Sequence, residues 1–311
     1  MFLFVIILII FSFTSGCNQN EDISRINLSN KIDDQQLQQS AANHTADAPI
    51  RIAVGGMITP KEGFAYYRKL LDYIGEKSGR KVEFVDREDY AEINDLVKKG
   101  EVDVAFVCGG PYVDGHKEFG MELLTAPVAY GDMVYYSYII VSKESPVNSL
   151  EELRGKSFAF TDPLSNTGKL VPTYMLAKIN FTPESFFKRY DYTHGHDKSI
   201  KAVATGIVDG AAVDSLIWEY ANRTNPEFTS KTKIIIKSPP YGIPPVVVRH
   251  GLDSELKERL RHIFQNTHND AKGKEILKGM MVDKFVPITD SAYDSIREMK
   301  QWVDMQKESS S

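Results

Sequence analysis

Small hydrogen-bonding side chains lie between a predicted strand and a predicted helix over residues 161–168, which read Thr-Asp-Pro-Leu-Ser-Asn-Thr-Gly. Such a junction points free backbone N–H groups and the positive end of a helix dipole at one spot. The hydroxyls of Ser165 and Thr167 would add further donors. The segment therefore predicts a cradle for a small anion, although simple capping of the helix by Ser165 or Thr167 explains the same residues equally well.

Two further polar residues lie at similar junctions. His196 falls between a predicted strand and a predicted helix, where a histidine can either donate to an oxyanion or form a solvated cap. Asp214 ends the apolar run 210–213, where it can either face a cleft or cap the following helix. The residues alone leave both alternatives open at both positions.

Alternating strand and helix patterns must position these side chains. From Arg51 the apolar periodicity predicts strands at 52–54, 82–85 and 102–107 with helices at 63–77 and 90–99 between them. This βαβαβ order implies a parallel sheet with helices on its faces. A second unit is predicted with strands at 157–161, 210–213 and 233–236 and helices at 168–179 and 198–205. The run 246–248 is expected to rejoin the first sheet, and helices are expected at 253–264, 270–280 and 291–304.

These segments in this order resemble the phosphate/phosphite/phosphonate-binding proteins of ABC importers. The resemblance covers about residues 51–304 and includes the stretches 107–113, 135–141, 237–240 and 247–249. It implies an α/β, two-lobed type II periplasmic binding protein fold with a ligand cleft between lobes. One lobe would comprise 50–140 plus 245–311 and the other 141–244. It also implies a monomeric receptor, not an enzyme, with no cofactor and no metal, that closes on a phosphonate- or phosphite-type oxyanion.

The resemblance also implies roles for particular residues. Asn166 is a departure from the family's Ser-Thr-Ser cradle, so an amide would replace one hydroxyl donor there. Asp214 falls at an acidic position facing the ligand, where it would select an anion that carries a proton. The implied ligand-binding residues are Ser165, Asn166, Thr167, His196, Asp214, Tyr135, Tyr112 and Thr59.

The N-terminus predicts export and anchoring. Residues 1–13 are almost wholly apolar, and small residues precede Cys17, so 1–17 is typical of a signal peptide with a lipobox-like end. No Lys or Arg precedes the apolar run, and Thr14 stands where such motifs usually have Leu. The polar stretch 18–49 predicts a disordered tether. Lipidation of Cys17 would hold the receptor at the outer face of the membrane, beside a permease and its ATPase.

Composition excludes some classes of function. A formal net charge of −5, with dispersed Lys and Arg, argues against a nucleic-acid surface. Two cysteines cannot form a disulfide scaffold once Cys17 is lipidated. A cluster of His194, His196 and Asp197 offers too few ligands for a metal.

Two other functions remain possible from the sequence. Ser165, His196 and Asp214 have the residue types of a hydrolase triad, but no Gly-x-Ser-x-Gly elbow surrounds Ser165. A ligand-sensing lipoprotein that reports to a membrane sensor would need the same binding site as an importer's receptor.

Overall fold

The computed structural model describes residues 48–55, 61–87 and 89–309. The predicted signal peptide with Cys17, nearly all of the predicted tether, and Thr59 lie outside this part of the chain. No helix within the described part is both long and apolar enough to cross a membrane.

The described residues form thirteen strands and ten α-helices. The strands are β1 (Ile50–Val54), β2 (Val82–Asp86), β3 (Val104–Phe106), β4 (Glu122–Ala129), β5 (Val134–Tyr135), β6 (Ser137–Ser142), β7 (Ser157–Phe160), β8 (Arg189–Tyr192), β9 (Gly210–Asp214), β10 (Thr232–Lys237), β11 (Tyr241–Gly242), β12 (Val246–Val248) and β13 (Val282–Val286). The helices are α1 (Lys61–Ser78), α2 (Tyr90–Lys98), α3 (Gly109–Phe119), α4 (Val171–Lys178), α5 (Pro183–Phe186), α6 (His196–Ala204), α7 (Ser215–Thr224), α8 (Ser254–Asn266), α9 (Ala271–Met280) and α10 (Asp294–Ser309).

A six-stranded sheet in the order β13-β4-β12-β3-β1-β2 defines the first lobe. β1 pairs in parallel with β2 and β3, as the βαβαβ pattern predicts. β12 is antiparallel to both β3 and β4, and β13 is antiparallel to β4. The sheet is therefore mixed: its βαβαβ half is parallel as predicted, and its other half is antiparallel. The expected return of residues 246–248 to this sheet is confirmed.

A five-stranded sheet in the order β10-β6-β9-β7-β8 defines the second lobe. Successive side chains of a strand point to opposite faces, so this sheet has a core layer on each side. Ile139 packs with Phe158 and Phe160 on one face. Ile140 packs with Ile200 on the other. Both layers are buried, which fixes the register of β6.

Two chain crossings join the lobes. The first lies between β4 and β6 and the second between β10 and β12, and their short strands β5 and β11 pair with each other as an antiparallel ribbon. The predicted boundary between residues 140 and 141 falls inside β6, whose partners β9 and β10 both belong to the second lobe. The lobe boundaries otherwise remain a prediction.

Several helices have an aspartate as N-cap, whose side chain accepts hydrogen bonds from backbone N–H groups that have no partner within the helix. Asp89 caps α2, Asp253 caps α8, and Asp270 caps α9. These caps fix the residue at which each helix starts.

Candidate functional site

The loop from Asp162 to Ser165 leads into a π-helical turn over Asn166–Leu170. Ser165 is fully buried, and its Oγ accepts the N–H of Gly168 at 3.0 Å. The capping role of Ser165 is thus real. Thr167 is also fully buried, but its Oγ1 has no hydrogen-bond partner among the described residues. Its backbone carbonyl accepts from Ser137 Oγ at 2.6 Å, which ties the turn to β6.

Asn166 connects this turn to the crossing segment between the lobes. Its Nδ2 donates to the hydroxyl of Tyr135 at 3.0 Å, and that hydroxyl lies 3.4 Å from Cys108 Sγ. The other side-chain atom, Oδ1, is buried without a partner in the described part of the chain. The structure therefore brings Asn166 and Tyr135 together, as candidate site residues would require.

His196 is the first residue of α6 and is fully buried. Its Nδ1 accepts the backbone N–H of Asp214 at 3.0 Å and lies 3.1 Å from Thr161 Oγ1. Burial lowers the pKa of His196 to about 3, so the ring is neutral near pH 7. Because Nδ1 accepts from Asp214, the single ring proton belongs on Nε2. Nε2 is buried and has no partner among the described residues.

Asp214 ends β9 and is also the N-cap of α7, where its Oδ1 accepts the N–H of Leu216 at 2.7 Å. The side chain is nearly completely buried. Desolvation raises the pKa of Asp214 to about 7, against the opposing effect of backbone hydrogen bonds from Leu216 and Ile217. The capping role and a place in the site are therefore compatible for this residue.

Tyr90 is a candidate that the sequence pattern did not single out. It is the first residue of α2, it is buried, and its hydroxyl has no partner among the described residues. Burial raises the pKa of Tyr90 well above its usual value, and the nearby Cys108, Asp162 and Asp214 raise it further. The available signal was its position directly after a helix cap, the same kind of junction that identified His196.

Tyr112 is placed differently from the other candidates. Its hydroxyl donates to Asp290 at 2.6 Å, and its ring lies 4.7 Å from that of Tyr293. Burial and the Asp290 hydrogen bond raise its pKa. This pairing weighs against a ligand contact by Tyr112.

The lobes approach each other closely beside these residues. A Cβ at Gly110 would lie only 2.3 Å from the carbonyl oxygen of Leu164, so a residue without a side chain is needed at the start of α3. Asp162 of the second lobe accepts the N–H of Tyr90 in the first lobe at 3.2 Å. Ligand-type atoms of Asp89, Asp162 and His194 lie within 4.8 Å of one another across the same junction.

The arrangement does not form a hydrolytic relay. His196 is bound to the backbone N–H of Asp214 and not to its carboxylate. Ser165 Oγ is used to cap Gly168. Nothing in these contacts activates the serine as a nucleophile.

Two α/β lobes joined by two crossings, with buried polar groups from both lobes at their junction, define a periplasmic solute-binding protein of the type II class. A family model described as the periplasmic substrate-binding protein of phosphonate ABC transporters matches residues 53–293, and the chain belongs to this family. It is therefore an extracytoplasmic substrate-binding component of a transporter and not an enzyme.

Similar proteins agree with this assignment. The phosphonates-binding periplasmic protein of Escherichia coli is 29% identical over 236 residues, which are 74% of this chain and 70% of that protein. The phosphate-import protein PhnD of Mycolicibacterium smegmatis is 28% identical over 257 residues, or 76% of this chain and 79% of that protein. These relatives differ in the ligand that their names state.

Solved structures support the fold. The binding protein component of an ABC phosphonate transporter from Pseudomonas aeruginosa superposes with a TM-score of 0.79 at 28% identity, covering 84% of this chain and 88% of that one. A Prochlorococcus marinus protein in complex with methylphosphonate gives a TM-score of 0.74 at 19% identity, covering 83% and 99% of the two chains. The predicted two-lobed type II fold is thus confirmed.

Proposed function

We propose that this receptor binds a small phosphonate- or phosphite-type oxyanion through Asn166, Thr167, His196 and Tyr90. The observation that carries the proposal is that each of these side chains holds a buried polar atom without a partner among the described residues. Native proteins rarely leave such atoms unsatisfied, because each costs about 1–3 kcal/mol. Three come from the second lobe and Tyr90 from the first, so a ligand that satisfies them would join the lobes.

Neutral donors suit a small anion at this position. The Nε2–H group of His196 and the hydroxyls of Thr167 and Tyr90 can each donate one hydrogen bond. The N-terminus of α6 and that of the π-helical turn add partial positive charge without a full cationic side chain. Asn166 Oδ1 is the exception, because an amide oxygen only accepts.

The acceptors in the site favour an anion that carries a proton. Asn166 Oδ1 lacks a donor among the described residues, and an ionised Asp214 would repel an anion that brings no proton to the site. Monoprotonated phosphonates and phosphate supply that proton near neutral pH, whereas sulfate does not. Sulfate would leave Asp214 facing a like charge, which is unfavourable in a buried site.

The proposed function also includes delivery of the ligand to a transporter and attachment of the receptor to the membrane. The family assignment supports delivery of the ligand to a permease with its ATPase. The residues before Cys17 support lipidation there, followed by a tether that spaces the lobes from the bilayer. Closure of the lobes on the ligand would follow from its contacts with both.

Calorimetry on the full-length chain in detergent tests this function. The titrants are phosphite, methylphosphonate, 2-aminoethylphosphonate, phosphate and sulfate. We expect at least one phosphorus oxyanion to bind with micromolar or tighter affinity and His196→Ala to weaken it at least tenfold, because a buried donor is lost. The intact mass of the same preparation shows whether Cys17 carries a lipid.

His250→Ala is the matched control, since His250 lies at the surface, 3.8 Å from Glu122. It should bind like the unaltered protein. Absence of binding by all five titrants would rule out this ligand class. Equal losses of affinity in His196→Ala and His250→Ala would show that His196 does not contact the ligand.

A further inference from the structure

Three side chains that can bind a metal ion meet where the lobes contact each other. Asp89 is the N-cap of α2 in the first lobe. Asp162 and His194 follow β7 and β8, which are adjacent parallel strands of the second lobe. One ligand-type atom from each residue lies within 4.8 Å of the other two. The group therefore exists only while the two lobes are together.

These side chains lie close together without bonding to one another. Asp162 is nearly fully buried, and its two oxygens accept the backbone N–H groups of Leu164 and Tyr90. Within the described residues, no hydrogen bond or ion pair joins any two of Asp89, Asp162 and His194, and no Lys or Arg forms an ion pair with either carboxylate. A buried carboxylate without a cationic partner is costly, so this position favours a cation.

The donor set suits a first-row divalent metal ion. Zn²⁺ lies about 2.0–2.2 Å from histidine nitrogens and carboxylate oxygens, so two of its ligand atoms are roughly 3–4 Å apart. Small rotations of the three side chains therefore bring their atoms onto one ion. An imidazole ligand favours Zn²⁺ over Ca²⁺ and Mg²⁺, which prefer oxygen ligands. The backbone N–H groups bound to Asp89 and Asp162 hold both carboxylates in place, as outer contacts do at metal sites.

An open pocket gives an ion access to this group from solvent. It is lined by Asp86, Arg87, Asp89, Glu92 and His194. The further carboxylates of Asp86 and Glu92 add negative potential at its mouth. Arg87 also lines the pocket, but its guanidinium pairs with Glu92 at 3.6 Å. With three ligands from the protein, the side that faces solvent leaves room for water to complete the coordination.

We propose that Asp89, Asp162 and His194 bind a first-row divalent cation such as Zn²⁺, which joins the two lobes. The residues adjacent to His194 in sequence, His196 and Asp197, take no part in this site, because its other ligands come from distant parts of the chain. The metal site itself does not depend on the proposed oxyanion. Because the ion and the oxyanion both favour the closed arrangement, each increases the affinity of the other by the same factor.

Calorimetry with Zn²⁺ tests the site in the absence of any phosphonate. The full-length chain in detergent is first freed of metal with EDTA and dialysed. We expect micromolar binding of a single ion and weaker binding of Ca²⁺. His194→Asn and Asp89→Asn should each weaken Zn²⁺ binding by about tenfold or more. Asparagine tolerates the φ of 53° at position 194 and still caps α2 at position 89, so both variants keep the fold.

His250→Asn is the matched control, because it removes an exposed histidine that lies 3.8 Å from Glu122. It should bind Zn²⁺ like the unaltered protein. Loss of affinity in both His194→Asn and Asp89→Asn, one variant in each lobe, would show that the ion joins the lobes. Unchanged Zn²⁺ affinity in either of them, an equal loss in His250→Asn, or tighter binding of Ca²⁺ than of Zn²⁺ would overturn the proposal.

Repeating the titration with methylphosphonate measures the coupling between the two ligands. We expect saturating Zn²⁺ to tighten methylphosphonate binding about tenfold in the unaltered protein. His194→Asn should show no such gain, and it also corrects for any complex of Zn²⁺ with phosphonate in solution. Zn²⁺ binding without a change in methylphosphonate affinity would overturn the interlobe role. Failure of every phosphorus oxyanion to bind, with Zn²⁺ binding intact and lost in both site variants, would overturn the proposed function alone.

Discussion

Capping and ligand binding are not exclusive roles for the polar residues at these strand–helix junctions. Ser165 uses its Oγ to cap Gly168, and Asp214 uses Oδ1 to cap Leu216. Each side chain nevertheless stays buried beside groups that lack partners. The cap holds the side chain in one orientation, which pre-organises the site at no extra entropy cost on binding.

Ionisation of Asp214 should destabilise the fold, and Asp214→Asn tests this. The pKa of Asp214 is raised by burial from 3.8 to about 7, so between those pH values the folded state binds a proton that the unfolded state has released. Stability therefore falls as pH rises through this window, by a few kcal/mol at about 1.4 kcal/mol per pH unit. We expect Asp214→Asn to be stabilised relative to the unaltered protein at pH 8 but not at pH 4, as measured by urea unfolding.

The comparison must be made between variants at each pH, because His196 acts in the opposite sense. Burial lowers its pKa to about 3, so its contribution to stability is lost as pH falls from about 6.5. Asp253→Asn, at the surface cap of α8, is the control and should show no such pH-dependent gain. An equal gain in stability at pH 8 in both variants would contradict burial as the cause of the raised Asp214 pKa. If Asp214→Asn still rejects sulfate, another group of the site discriminates against that anion.

Sequence patterns predicted which polar residues lie in the candidate site, but they did not predict which atom each residue presents there. The junction argument found Ser165, Thr167, His196 and Asp214, because helix starts are recognisable from residue types. It missed Tyr90, which directly follows the Asp89 cap, because tyrosine is not one of the small polar residue types that mark such junctions. That His196 presents Nε2 depends on the Asp214 N–H group, a long-range contact that local patterns do not encode.

At the scale of elements, the start of α2 is a point where the second lobe contacts the first through a hydrogen bond. Asp89 caps this helix from its own lobe by accepting from Ala91 and Glu92. Asp162 reaches the same helix from the other lobe by accepting from Tyr90 at 3.2 Å. A carboxylate at a helix N-terminus is stabilising, so Asp162 would favour the closed arrangement.

Removal of this contact should speed ligand release. We expect Asp162→Ala to raise the dissociation rate about tenfold, which corresponds to roughly 1.4 kcal/mol for a charge-assisted hydrogen bond. Stopped-flow measurement of ligand release from the full-length chain reports the rate. Asp253→Ala is the matched control, because Asp253 caps α8 by accepting from Leu256 at 2.9 Å, away from the lobe junction. It should lower the free energy of unfolding by about 1 kcal/mol through loss of a cap without speeding release. Equal dissociation rates in the two variants would exclude Asp162 as an interlobe contact.

Element prediction succeeded where periodicity was strong. The parallel strands β1–β3 and the tail helices α8 and α9 follow the expected ranges closely. The sequence analysis missed α3, β4 and β13. α3 begins at Gly109-Gly110-Pro111, residues that locally favour a turn. Glycine is needed at position 110 because the close approach of Leu164 leaves no room for a side chain. β13 carries exposed charged residues at the sheet edge, so its alternation is weak.

At the scale of the whole molecule, α10 links the lobes in addition to the two crossings. Ile296 is buried in the core of the first lobe, and Lys300 pairs with Asp114 of α3 at 2.8 Å. Further along the helix, Trp302 packs edge-on against Tyr174 of α4 in the second lobe, with ring centroids 5.0 Å apart. A rotation of one lobe against the other must therefore change the surroundings of Trp302.

The chain's two tryptophans make this movement measurable. Trp218 lies within the second lobe, where its Nε1 donates to Thr232 at 3.1 Å, so rigid-body closure leaves its surroundings intact. We expect ligand to change the emission of the Trp218→Phe variant, which retains Trp302, and to leave that of Trp302→Phe nearly unchanged. Small-angle scattering on the same samples should show compaction, because a ligand bound to both lobes favours the closed population. A ligand response confined to Trp218, or binding without compaction, would mean that the second lobe itself rearranges and that the lobes do not close as rigid bodies.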